Sequence, residues 1–252
     1  MSGTTIAVGP VLVAVLVVLA VAAAAVVRRG GLGAGRPVLV AAARAAVQLS
    51  VVSLLIAAVL RSGWLTAGFV AVMFTVASAT SAQRIVSLRR AYWAGSSIAA
   101  GVLPVLLLLL SARVVPLRPV AVVPMAGILI GGAMTATSLA GRRALDELRV
   151  RHGEYEAALA IGLTDREAAL EICRPAAGQA LVPALDQTRT VGLVTLPGAF
   201  VGVLLGGASP VQAGVTQLLV LIGLLAVEAV AVLVTVELVA AGRISACSPR
   251  RS

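Results

Sequence analysis

Long apolar runs govern what this chain can become. Seven stretches, at about 9 to 27, 38 to 60, 64 to 83, 94 to 112, 119 to 140, 190 to 208 and 213 to 240, are almost continuously apolar. A helix needs about 20 such residues to cross the hydrocarbon of a bilayer. In lipid every backbone N–H and C=O must be satisfied inside the protein, so runs of this length read as helices. The chain is 12% charged, against about 25% for a water-soluble domain, which leaves too little polar surface for water. The expected fold is all-α, a polytopic integral membrane protein with about seven transmembrane helices in a single domain over residues 1–252. The first run is not expected to be a cleaved signal peptide, because Arg28 and Arg29 follow it and no basic residue precedes it.

The charges are distributed unevenly. All 20 basic residues are arginine, which excludes a Walker A lysine and a Schiff-base lysine in this chain. Nucleotide hydrolysis, if the activity needs it, therefore belongs to another polypeptide. The net charge of +10 comes from arginines set singly or in pairs between apolar runs, a pattern of topology determinants and not of nucleic-acid binding. Arg28, Arg29 and Arg36, then Arg84, Arg89 and Arg90, then Arg142, Arg143, Arg149 and Arg151, and finally Arg243, Arg250 and Arg251 follow alternate runs. The remaining loops hold only Arg61, Arg113 and Arg118. Basic residues favour the cytoplasmic side, so the N-terminus is expected outside and the C-terminus inside, across the cell membrane. Tyr92 and Trp93 at one edge and Trp64 at the other fit interfacial aromatic belts. Cys173 and Cys247 would then face a reducing compartment, with no disulfide. One histidine and four methionines leave little for a soft or imidazole metal site and exclude a histidine-rich metal cage, and no cofactor is expected on this chain.

No acid occurs before Asp146, and seven of the ten lie between Asp146 and Glu171. Residues 141–189 are accordingly read as one cytoplasmic loop. Within it Glu154 to Ile161 is rich in helix formers, Gly162 supplies a stop, and Thr164 with Glu167 spells a capping box that starts a second helix before Pro175. Two short helices joined at an elbow can present an apolar knob to a partner's groove. Glu156-Ala157-Ala158, with Gly162, Ile172 and Pro175 at their offsets, resembles the EAA coupling loop of ABC-transporter permeases. That resemblance implies docking on a cytoplasmic ABC ATPase through Glu154, Glu156, Ala157, Ala158, Gly162, Thr164, Glu167, Ile172 and Pro175, with ATP-Mg held by the partner. Arg174 departs from the pattern, which tends to have leucine there.

Further residues narrow the resemblance. Arg44 and Gln48-Leu49, Pro124-Met125-Ala126-Gly127 with Gly131 and Met134, the run from Val191 through Thr195 to Leu196-Pro197-Gly198, and Gly206, Gly207, Pro210 and Gln217 resemble the bacterial permease family assigned to iron export. They are similar also to plant aluminium-sensitivity membrane proteins. The resemblance runs from about residue 38 to 240. It implies a permease subunit, working as a homodimer in membrane lipid with separately encoded ATPases, that moves a metal ion such as iron, or a small solute, outward. Two departures stand out. After Gly198 the family continues with two methionines, a threonine, a glycine and a glutamine, where this chain has Ala199, Phe200, Val201, Gly202 and Val203. An asparagine common after Gly131 is replaced by Gly132.

The intramembrane polar residues are the candidates for a pathway. Arg44 lies roughly 9 Å inside its span, either as a topology anchor that snorkels to the interface or as the partner of Glu237, whose depth matches. Glu228 lies near mid-membrane and on the helix face opposite Glu237, as a cavity-lining or a protonated structural acid. Pro197-Gly198 should break the sixth run, and Asp186 and Arg189 should pair locally. Ala126, Gly127, Gly131 and Gly132 read as small-residue packing, within the chain or across a homodimer. A stand-alone secondary carrier or channel using Arg44, Glu228 and Glu237 is the alternative function. A membrane enzyme finds no nucleophile, base and orienter cluster.

Overall fold

Residues 9–244 are described in a computed structural model, and nearly all of them are helical. Cys247, Arg250 and Arg251, expected on the cytoplasmic side, lie outside the described residues. The chain divides into two compact units, up to Arg61 and from Ser62. In the first, α1 (Pro10–Arg29) and α2 (Arg36–Val59) pack as an antiparallel pair. Their connection is tight: a Cβ on Gly35 would fall 2.6 Å from the Ala24 carbonyl oxygen. Proline in the first turn of each helix costs nothing, because the N–H it removes has no intrahelical acceptor.

The second unit begins with α3 (Gly63–Ile85), α4 (Ala91–Ser111) and α5 (Pro119–Val150). Two short helices follow, α6 (His152–Ala160) and α7 (Asp165–Gly178), then α8 (Val182–Thr190) and α9 (Gly198–Leu205). The last helix is α10 (Pro210–Ala240), opened by a capping box between Ser209 and Gln212. Six helices among the described residues are long and apolar enough to span a bilayer, one fewer than the seven runs suggested. The missing one is the sixth run, 190–208.

The sixth run is broken for local reasons. Gly192 adopts φ +82°, a conformation open to glycine, and its N–H bonds to the Thr195 carbonyl at 2.9 Å. Pro197 is extended, as the N-cap of α9. The chain still climbs along α10 in this stretch. Arg166 meets Glu237, residues 180–187 lie beside Glu228, and the Phe200 N–H bonds to Gln217. Twenty residues of α10 separate Glu237 from Gln217, or about 30 Å. The passage beside α10 is thus made by two half-helices and a turn whose residues from Gly192 to Leu196 are exposed on the unit. Gln217, a pathway candidate from the sequence, is buried and serves as the acceptor for an otherwise orphaned N–H of α9.

The fifth run also differs from expectation. It does not end at residue 140 but continues as one helix to Val150, so the arginines at 142, 143 and 149 ride on a rigid extension of the span. At about 48 Å, α5 is longer than the hydrocarbon is thick. It forms the centre of this unit. Ala126, Leu129 and Ala133 pack with Ile98 and Val102 of α4 and Val227 and Ala231 of α10 in one core. Ala136, Ala140 and Ala144 pack with α7 and the last turns of α10 in a second. Small residues let the helix backbones approach closely, which is where packing energy comes from when lipid is as apolar as the core. Gly127 faces Met73 of α3 and Gly132 faces α10, so this small-residue spacing is used within the chain. Ser81 and Ser138 join α3 to α5 through a 2.8 Å buried bond that the hydropathy pattern does not reveal.

Candidate coupling elbow and intramembrane cavity

The acidic segment folds as the capping signals predict. Helix α6 ends in a Schellman motif: Gly162 at φ +98° donates to the Leu159 carbonyl at 3.0 Å, and Leu163 donates to that of Ala158 at 3.1 Å. Helix α7 opens with both halves of a capping box. The Glu167 N–H donates to Thr164 Oγ1 at 3.3 Å, and the Thr164 N–H donates to Glu167 Oε2 at 2.9 Å. These bonds hold the Glu167 carboxyl below the usual carboxylate range. Tyr155 Oη donates to Asp165 at 3.1 Å and ties the two helices across the elbow. Partial burial, then that carboxylate, raises the tyrosine's pKa.

The elbow has two unlike faces. Glu154, Glu156, Ala157, Gly162, Thr164 and Glu167 are exposed, and Ile161 projects as an apolar knob that is 80% exposed. Ala158 is half-buried. The opposite face of α7, with Ala169, Leu170, Ile172, Cys173 and Ala177, is buried. Ile172, one of the residues expected to meet a partner, is therefore a core residue. Pro175 does not terminate α7, which runs on to Gly178; Pro175 is exposed, so the Glu171 carbonyl it leaves without an intrahelical bond faces water. Glu154 pairs with Arg151, whose guanidinium lowers the carboxyl pKa, and His152 stands 3.4 Å from Glu156. Being exposed, these pairs contribute little to stability.

Cys173 makes the burial testable. It is 0% exposed and its thiol donates to the Ala144 carbonyl at 3.6 Å, and burial pushes its pKa up to about 11. A two-unit rise cuts the thiolate fraction near neutral pH by about 100-fold. In a Cys247→Ser background, maleimide labelling is expected to be at least that much slower for the folded protein than in denaturant. As the unfolded thiol ionises near 9 and the folded one near 11, the stability it contributes is present below pH 9 and lost as pH rises through 11. Rapid labelling at pH 7 would contradict the packing of α7 on α5.

Glu237 is paired within its own unit. Its carboxylate accepts from Arg166 at 2.5 Å and Arg174 at 3.4 Å, both on α7. Burial of the α7 apolar face turns these two arginines toward the end of α10, and Arg174, the departure from the family pattern, completes the clamp. Arg44 and Gln48 are exposed on α2 in the other unit. Asp186 and Arg189 form the expected local pair at 3.5 Å. Arg243 lies over Trp93, 5.1 Å from the ring centroid.

The remaining candidates separate in space. Met134 packs against the core and gives its carbonyl to Ser81 and Ser138. Thr195 and Pro197 shape the turn between α8 and α9, and Gly198 begins α9. Glu228 instead lines a cavity of about 280 Å³ with Gly131, Gly132 and Thr135 of α5 and Pro183 and Gln187 of α8. Thr135 and Gln187 were not singled out from the sequence. Gln187 sits in a polar run, Asp186 to Thr190, that reads as surface, and nothing local reveals that α8 turns it toward Glu228. No group of three or more His, Cys, Asp or Glu able to hold a metal occurs among the described residues.

Comparison with known proteins places this architecture. The family described as "Uncharacterised protein family (UPF0014)" matches residues 10–242. The membrane protein STAR2 of rice (Oryza sativa subsp. japonica) is 35% identical over 215 residues, 84% of this chain and 74% of the rice protein. The protein ALUMINUM SENSITIVE 3 of Arabidopsis thaliana is 40% identical over 148 residues, 58% of this chain and 54% of its own length. The probable iron export permease protein FetB of Escherichia coli (strain K12) is 32% identical over 143 residues, 55% of this chain and 52% of its own length. No solved structure matches. The matched span takes in all six membrane-length helices and the elbow between them, and the chain belongs to the UPF0014 family of multi-pass membrane proteins.

Proposed function

We propose that this chain is the membrane permease subunit of an ABC transporter that exports a metal cation, driven by a separate ATPase docked on the elbow of α6 and α7. The observation that carries the reading is the two-faced elbow. Its outer face offers Ile161 beside a groove of about 500 Å³ lined by Leu163, Arg166 and Glu167, a shape and chemistry suited to an ATPase cleft. Its inner face is packed on α5 and α10, so displacement of α6 by a partner is passed to two spanning helices. The absence of lysine gives ATP hydrolysis to the partner. Arginine placement puts the elbow and the C-terminus in the cytoplasm and the N-terminus outside. A homodimer with two ATPases would supply two elbows, and the relative named as a probable iron export permease supports a metal cargo.

Co-purification of the chain with its ATPase tests this. Glu156→Lys reverses a charge on the exposed face, and Gly162→Pro removes a bond of the helix stop and forbids its positive φ. Each is expected to lower ATPase recovery at least tenfold while the permease stays folded in the membrane. Recovery unchanged by both, or transport that persists without ATP, would assign the chain to the secondary carriers.

A further inference from the structure

The cavity between α5, α8 and α10 holds an unusual combination for a membrane interior. Glu228 has no hydrogen-bond or ion-pair partner among the described residues, and neither does Gln187 beside it. A carboxylate at this depth is costly unless something meets its charge. Glu237, nine residues on, is met by two arginines, yet no basic residue lines the Glu228 cavity. Thr135 donates its own hydrogen to the Gly131 carbonyl at 3.0 Å, which leaves its hydroxyl oxygen lone pairs free as acceptors.

Space in the cavity is kept by glycine. A Cβ on Gly132 would lie 2.7 Å from Glu228 Oε1 and 2.5 Å from Leu224 Cδ2, so any side chain there would displace the carboxylate. One on Gly131 would meet nothing within 4 Å and would simply project into the open volume. Thr135 and Gln187 are exposed, so the cavity is open to the surface of the unit and not sealed.

We propose that Glu228, Gln187 and Thr135 form a transit site for a hard divalent cation within the membrane. The donors are a carboxylate, an amide and a hydroxyl oxygen, with no thiolate or imidazole lining the cavity, a set that suits hard cations and disfavours soft ones. A single negative charge and three protein oxygens leave a divalent ion partly hydrated and weakly held. Weak holding is what passage requires, since an ion bound tightly at mid-membrane would not leave. The site deepens the permease reading and rests on it for the direction of movement, whereas binding itself needs neither ATP nor a partner.

The test uses the full-length chain in nanodiscs with Mn²⁺ as the probe, read by the loss of the free-ion paramagnetic signal. Saturable binding of about one Mn²⁺ per chain is expected. Glu228→Gln should weaken it at least tenfold and Gln187→Ala at least threefold, and Gly131→Leu, whose Cβ would meet nothing within 4 Å and whose side chain would enter the cavity, should abolish it. Glu228→Gln removes an unpaired charge and should not lower the melting temperature; should it fail to fold, the other two variants decide. Binding retained by all folded variants would overturn the proposal and place the ion on the exposed acids of the elbow. Intact Mn²⁺ binding without ATPase co-purification would remove the ABC reading and leave the site standing, and the reverse result would do the opposite.

Discussion

Gly101→Val is expected to be the most destabilising substitution in the second unit. Gly101 of α4 lies against α10 so closely that a Cβ would fall 2.4 Å from the Val227 carbonyl oxygen. That atom is backbone in the middle of a long helix and has no rotamer by which to retreat. Relief requires α4 and α10 to separate, and the core of Ile98, Val102, Leu129 and Val227 to open with them. Overpacking of this kind costs about 3 kcal/mol, and a chain of this size loses roughly 2–4 °C of melting temperature per kcal/mol. The apparent midpoint in detergent should fall by about 10 °C. Gly131→Ala, with open space at its Cβ, is expected to change it by less than about 2 °C. Equal midpoints for the two variants would contradict the α4–α10 contact.

Glu237→Arg is expected to have the largest effect on transport. The carboxylate is 30% exposed and joins the end of α10 to Arg166 and Arg174 on α7. The stability at stake is small, about 1 kcal/mol, because the arginines are more than half exposed. Coupling is another matter. Three arginines in place of the clamp repel α7 from α10, so motion of the elbow would no longer reach that helix. Under the permease reading, transport should drop at least tenfold while the ATPase still binds and still hydrolyses ATP. Arg174→Glu combined with Glu237→Arg should restore part of it. Full transport by the single variant would show that α7 moves α10 through its apolar face alone.

Ile172 and Arg174 show how far local reading reaches. Both sit on the same short helix, and capping residues placed its start correctly, because Thr164 and Glu167 are three residues apart and bond within one turn. Which face of that helix would be buried depended on the extension of α5 to Val150, ten residues beyond the apolar run. Leu170, Cys173 and Ala177 pack against that extension, Ile172 is buried on the same short helix, and Arg174 on the exposed side reaches Glu237. Asp186 and Arg189 paired as expected, being neighbours on one helix, whereas the arginines that meet Glu237 come from α7, more than sixty residues away in the chain, and depth in an apolar run says nothing of lateral position.

The sixth run gives the same lesson for the spans. Its hydropathy equals that of a spanning helix, and Pro197-Gly198 marked a break, but Gly192 at positive φ began the break earlier and left two half-helices.

Apolar run length and helix caps each act over a few turns of chain, and they were enough for membrane class, six of the seven spans and the elbow. Contacts between residues far apart in the chain obey no such rule. The cavity of Glu228 joins α5, α8 and α10, more than ninety residues of sequence, and it exists because Gly132 lacks a side chain at the point where α10 presses on α5. A carboxylate's position was readable from its place in an apolar run; what faces it was settled by helix packing, where a difference of one methyl group decides whether there is room for an ion.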